Sequence, residues 1–201
     1  MDIRVATAAD IEAVTETIRL AFLDDPVWGP ALALPGGSTS HLDPFWRIYV
    51  RGGLRFDGVY LTGNADTIAV WTPPGESELS PEQEDEIVEL VHSALPKERA
   101  AAMVELFDRF DAAHPHDRPH AYLGLLATHP THRGRGIGQQ LLAANLAELD
   151  ARGLPAYLES TNPANLHRYE RAGFAQHGSF RAVLDDALVT TMWREPRGDR
   201  G

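Results

Sequence analysis

Residues 129–142 read HPTHRGRGIGQQLL, three glycines and two arginines ahead of a pattern that turns helical. The apolar run HAYLGLLAT leads straight into it. A glycine-rich turn from a strand into a helix frees consecutive backbone N–H groups and lets the chain approach a ligand closely. It also puts that ligand at the positive end of a helix. Arg133 and Arg135 add full charges, so the chemistry this loop suits is phosphate binding, and a diphosphate above all. A Walker A loop would end in Gly-Lys-Ser/Thr, and none is present. The dinucleotide pattern G-x-G-x-x-G also fails, because counting from Gly136 gives Gly138 but then Leu141 at the third position.

Groups for proton chemistry are fewer. His120 opens the apolar run, and a histidine titrates where a general base must work. His114, His116 and His120 are separated by Pro115 and Pro119, a spacing that fits no metal-ligand pattern, so no metal is expected. The chain has no cysteine, which excludes disulfides, thiolate metal sites and a cysteine acyl-enzyme. It has no G-x-S-x-G nucleophile turn either. Any acyl transfer therefore proceeds by direct attack of a bound acceptor.

These residues need a scaffold. The 201 residues suit one domain with a sizeable core, and 43% hydrophobic with 23% charged residues is ordinary globular composition. A formal net charge of −11 argues against a nucleic-acid partner, whose phosphates need a basic face. The opening MDIRVATAADIEAV lacks a basic region followed by an apolar run, and no apolar run reaches membrane-spanning length. A cytoplasmic chain with no membrane partner is the expectation.

The elements alternate. DIRVAT is a strand, and Thr7 with Asp10 forms a capping box for a helix whose apolar face is Ile11, Val14, Ile18, Ala21 and Phe22. Pro26 ends it, residues 27–44 look irregular, and PFWRIYVRGG is a short helix closed by Gly52. GVYLTG and TIAVWTP form a hairpin. Ser80, Pro81 and Gln83 start the next helix, and KERAAAMVELFDRFDAAH is another. After HAYLGLLAT and the glycine loop come the helix IGQQLLAANLAELDARG, the strand LPAYLES, the short helix NPANLHRYERAG and two final strands. Gly153 stops the long helix. Residues 1–195 read as one α/β domain, and 196–201 as a disordered tail.

The segment RGRGIG matches the R/Q-x-x-G-x-G/A signature of the GCN5-related N-acetyltransferase (GNAT) family, which the chain resembles. YLESTNPANLHRYERAGF is similar to that family's second cofactor block, and HAYLGLLATHP to its fourth strand. Stretches such as AFLDDP and HAYLG further resemble the puromycin-N-acetyltransferase-like subgroup. The resemblance implies a mixed, mostly antiparallel central sheet flanked by helices and splayed where acetyl-CoA binds. It implies that the backbone of Leu126, Ala127 and Thr128 runs beside the pantetheine arm, and that Arg133, Gly134, Arg135, Gly136, Ile137, Gly138 and Gln139 cradle the diphosphate. Asn162 and Asn165 compete for the cofactor-contacting asparagine, and either can instead cap the helix after Pro163.

Tyr169 is placed by the same resemblance near the cofactor sulfur, where its phenol would protonate the leaving thiolate, although it could simply pack between helix and sheet. Glu159, where relatives keep a carboxylate, and His120 are alternative bases. Phe22, Asp25, Trp28 and Trp46 are expected to line the acceptor pocket, with a carboxylate attracting an ammonium group. The implied activity is acetyl-CoA-dependent transfer to a primary amine of a small molecule or peptide, in a chain that could be a homodimer. The alternative is an acyl-CoA-binding sensor or scaffold of the same fold.

Overall fold

The computed structural model describes residues 2–198. In chain order the elements are β1 (Ile3–Val5), α1 (Ile11–Phe22), α2 (Trp28–Leu32), α3 (Leu42–Leu54), β2 (Val59–Thr62), β3 (Thr67–Thr72), α4 (Pro81–Ala94) and α5 (Lys97–Ala113). They continue as β4 (Ala121–Thr128), α6 (Ile137–Ala151), β5 (Ala156–Ser160), α7 (Leu166–Ala172), β6 (Ala175–Arg181) and β7 (Leu188–Arg194). The strands form one sheet in the order β1-β2-β3-β4-β5-β7-β6. Every neighbouring pair is antiparallel except β4 and β5, which run parallel.

That one parallel pair is short. Only Ala121 with Ala156 and Tyr122 with Tyr157 are in register, after which β5 stays with β7 and leaves β4. From Leu123 onward the β5-facing edge of β4 is without a strand partner, so a wedge opens in the middle of the sheet. β4 also carries a bulge. Val70 faces Leu125 and Trp71 faces Leu123, so Gly124 is the extra residue. A plain strand would put Leu123 and Leu125 on one face. Here Leu123 packs in the cluster with Leu141, Leu142 and Leu146 of α6, whereas Leu125 joins Ile18 and Phe45 on the other face. One inserted residue thus exchanges the two faces of β4 beside the wedge.

Local signals account for most boundaries. Ser80 Oγ accepts from the Gln83 N–H while Gln83 Oε1 accepts from the Ser80 N–H, the reciprocal box that starts α4. Thr7 and Asp10 do the same ahead of α1. Two expectations need correction. The region expected to be irregular contains α2, and α3 does not stop at Gly52 but runs to Leu54. A Cβ at Gly53 would meet Val70 Cγ1 at 2.6 Å and Val59 Cγ2 at 2.9 Å. Gly53 lets α3 lie close on the sheet, and the helix runs on through Gly52, which faces Glu78 and Leu79.

Of the expected tail, residues 196–198 have no regular secondary structure, and the Arg197 N–H donates to Asp150 Oδ1 at 2.7 Å. Residues 199–201 lie outside the described residues.

Candidate active site

The glycine loop sits at the end of β4 and the start of α6. Gly134 and Gly136 hold φ values of +79° and +76°, in the left-handed region that side chains with a Cβ adopt at a cost. Gly136 is the N-cap residue of α6, and no side chain caps the helix there. No acidic residue stands in its first turn. The N–H groups of Ile137, Gly138 and Gln139 are therefore the unmet donors of a fifteen-residue helix. Gly138 is needed for space, because a Cβ there would come within 2.8 Å of Thr128 Oγ1. The two arginines differ. Arg133 donates to the carbonyl of Ala21 at the end of α1, at 3.1 Å. Arg135 has no protein partner among the described residues. A dianionic group fits this cradle of open N–H groups and one free guanidinium.

From the cradle the wedge leads along Leu126, Ala127 and Thr128 to a cleft of about 1040 Å³. Leu126, Asn162, Asn165 and Tyr169 are among the residues that line it. Both asparagines are occupied locally: Asn162 Oδ1 accepts from the Ala164 N–H at 3.0 Å, and Asn165 Oδ1 accepts from Arg168 at 2.9 Å. Tyr169 packs edge-on against Phe174, with ring centroids 6.1 Å apart. Its hydroxyl has no protein partner among the described residues. Burial pushes the phenol up to about 12, against an opposing contribution from Arg168. It therefore holds its proton at neutral pH and is available as a donor.

The cleft also carries a set of neighbouring titratable groups. His120 Nδ1 lies 2.7 Å from the Arg118 carbonyl, which can only accept, so that nitrogen bears hydrogen. His120 Nε2 is 3.1 Å from His114 Nε2, and one proton must lie between them. Burial pushes the His120 pKa down and favours its neutral form, which makes His114 the donor in that bond. The remaining nitrogen of His114 is 3.8 Å from Glu159 Oε1, whose side chain is 3% exposed. Glu159 and His120, the two bases anticipated from sequence, are thus joined through His114. Among the described residues no group of three or more His, Asp or Glu side chains is placed to hold a metal ion.

Tyr122 and Tyr157 flank this set. Their phenols are raised by burial and then by the Glu159 charge. Tyr157 donates to the Ala113 carbonyl at 3.0 Å and so ties the end of α5 to β5.

Sequence reasoning missed Glu78, in the loop between β3 and α4. Its carboxyl occupies the space over the bulge, and a Cβ on Gly124 would collide with Glu78 Oε1. Glu78 is part-buried in the cleft wall, and its pKa is pushed up to about 8, by burial first and by Glu159 second. The available signal was Gly124 itself, because a glycine inside a strongly apolar strand marks a bulge or a close approach. His114 stood in view with the other histidines, but only the fold brings its ring to Glu159.

The residues anticipated for the acceptor form an aromatic wall. Trp28 stacks on Phe110 at 5.5 Å, meets Trp46 edge-on at 5.6 Å, and Trp46 lies 5.1 Å from Phe22. Asp25 is nearly buried and its oxygens are engaged. Oδ1 accepts from the N–H groups of Val27 and Trp28 at 2.9 and 3.1 Å, and Oδ2 accepts from the Thr161 hydroxyl at 2.7 Å. It fastens the start of α2 to the end of β5.

A parallel strand pair forced apart beside a glycine-cradled helix start is the architecture of a coenzyme A-dependent acyltransferase. The profile of the acetyltransferase (GNAT) family matches residues 60–174, more than half of the chain, and the protein belongs to that family. It is 36% identical over 108 residues to a mycothiol acetyltransferase of Gordonia bronchialis, a match that covers 47% of this chain and 32% of that one. The chain thus spans about a third of that relative's length. Over 99% of its length it superposes on a Corynebacterium glutamicum structure described as histone acetyltransferase HPA2 and related acetyltransferase, with TM-score 0.72, 22% identity and 98% of that chain covered. An arylalkylamine N-acetyltransferase 2 from Aedes aegypti gives TM-score 0.67 at 14% identity, covering 98% of this chain and 99% of that one.

Proposed function

We propose that this protein is an acetyl-CoA-dependent N-acetyltransferase that moves an acetyl group directly to a primary amine of a small molecule or peptide. The observation that carries the reading is the wedge between β4 and β5. It runs from the uncapped start of α6 to a cleft lined by an unpartnered phenol and by neighbouring carboxyl and imidazole groups.

In this reading the N–H groups from Gly134 to Gln139 hold the diphosphate, with Arg135 as the accompanying cation. The free edge of β4 at Leu126, Ala127 and Thr128 pairs with the pantetheine arm as an added strand would. Acetyl-CoA supplies an activated thioester. A main-chain N–H at the bulge edge stabilises the developing oxyanion. Tyr169 hands its proton to the departing thiolate. Glu159 and His120, with His114 between them, are titratable groups at the acceptor end of the cleft, and the set reaches the surface at His114, whose side chain is 25% exposed. The aromatic wall of Phe22, Trp28 and Trp46 supports an acceptor whose amine is attached to an apolar body, and Asp25 acts by holding that wall in place. A sensor that only held acyl-CoA would have no use for titratable groups and an open phenol in one cleft. The likeness to puromycin-type enzymes rests on the sequence stretches alone.

The reading is tested by free-thiol release from acetyl-CoA across a panel of primary amines. Amine-dependent release with formation of the N-acetyl product is the expected result. Acetyl-CoA binding with no release for any amine would return the chain to the sensor class.

A further inference from the structure

We propose that Glu78 is a catalytic residue of this transfer: its carboxylate takes the proton that the acceptor ammonium must lose before it attacks. The proposal rests on the N-acetyltransferase reading above and assigns a role that neither Glu159 nor His120 is free to fill alone. Glu159 faces His114, and both ring nitrogens of His120 are engaged, one by Arg118 and one by His114. Asp25 is fully occupied by Val27, Trp28 and Thr161. Glu78 alone among the buried carboxyls of the cleft has no hydrogen bond or ion pair to the protein among the described residues.

Its position is specific. The carboxyl fills the space that a side chain on Gly124 would take, directly over the one residue of β4 left unpaired by the bulge. The bulge lies where the edge of β4 becomes free for a thioester to align. An amine closing on that carbonyl therefore passes the Glu78 oxygens. The groups facing Glu78 from the surrounding elements are Glu159 of β5, Tyr122 of β4 and Tyr49 of α3. Both phenols are raised well above their ordinary value by burial and remain protonated, and no cation is paired with the carboxyl. Burial and the Glu159 charge bring Glu78 to about 8, which closes most of the gap between a carboxyl group and an alkyl ammonium at about 10. Proton transfer is most effective where those values approach each other.

The step balances without a further reagent. The ammonium gives one proton to Glu78, and the amine nitrogen forms its bond to the acetyl carbon. The carbon–sulfur bond breaks, the electron pair leaves on sulfur, and Tyr169 protonates it. The second proton of the nitrogen restores the phenol, and Glu78 releases its proton to solvent, one per turnover.

The test compares wild type with Glu78→Gln, which keeps the shape of the side chain, and with Gly124→Ala, which pushes the carboxyl off the bulge. Acetyl-CoA is the donor, and the acceptor is whichever of 2-phenylethylamine, putrescine and glycylglycine turns over fastest. Wild-type kcat/KM is expected to rise with pH through about 8, since the base must be ionised. Glu78→Gln should bind acetyl-CoA as wild type does, and Gly124→Ala should lower kcat as well. In Glu78→Gln kcat should fall about 10²- to 10⁴-fold and recover partly at high pH, where free amine replaces the base. A wild-type kcat in Glu78→Gln overturns the proposal, and so does a rise in KM alone, which would make Glu78 an anchor for the ammonium. Wild-type protein that binds acetyl-CoA but acetylates none of the three amines overturns the underlying reading together with the proposal.

Discussion

The two parts of the site, the glycine cradle and the cleft, are built from different materials. From Thr128 to Gln139 the binding groups are main-chain N–H donors within a dozen residues of one another, set by three glycines and the start of α6. The cleft is built from side chains: Phe22 from α1, Trp46 from α3, Glu78 from a loop, His114 from the end of α5 and Glu159 from β5. The first kind of site depends on backbone conformation and tolerates changes in the side chains around it. The second depends on the packing of five separate elements. Substitutions should therefore separate cleanly into those that alter cofactor affinity and those that alter turnover or stability.

The largest effect expected in the cleft beyond Glu78 is at Tyr169. Tyr169→Phe removes the donor and keeps the ring packed on Phe174, so kcat should drop about 10²- to 10⁴-fold with little change in acetyl-CoA affinity. Turnover at the wild-type level would show that the thiolate takes its proton elsewhere. Next is Asp25→Ala, which strands two N–H groups and a buried hydroxyl. A loss of about 2–3 kcal/mol, and a fall in Tm of about 4–12 °C, is expected by calorimetry. An unchanged Tm together with a raised KM for amines would make Asp25 a substrate ligand and not a brace.

Gly136→Val then tests the cradle. A Cβ at φ +76° costs about 1–2 kcal/mol, so acetyl-CoA affinity should weaken about 5- to 30-fold, while kcat at saturation holds. Loss of kcat with affinity intact would erase the distinction between the two parts. The smallest effect is at the arginines. Arg135→Ala should weaken acetyl-CoA binding about fivefold or less, and the loss should shrink as salt screens the charge. Arg133→Ala should do less still, since that guanidinium is turned to Ala21.

The same contrast explains what could be read in advance. The cradle was legible because its determinants are contiguous: a strand, three glycines, two arginines and a helix appear in the order in which they act. The capping box at Ser80 and the helix stop at Gly153 were legible for the same reason. Glu78 was not, because the surrounding PPGESELS has the composition of a solvated turn, and only the bulge forty-six residues later in the sequence gives the carboxyl its place. Gly52 was misread in the same way. As a local signal it ends a helix, but in the fold α3 runs on through it against Glu78 and Leu79, and Gly53 lets the helix lie close to Val59 and Val70. His114 was considered as a metal ligand, and tertiary contact instead made it the link between Glu159 and His120.

The claim on which the rest depends is that the unmet N–H groups at the start of α6 hold the diphosphate of coenzyme A. A crystal structure of the protein with acetyl-CoA tests it directly. The diphosphate oxygens should lie within hydrogen-bonding distance of the N–H groups of Gly134 to Gln139, with the thioester against the free edge of β4. A diphosphate bound anywhere else, with the cradle left to solvent, would contradict the account.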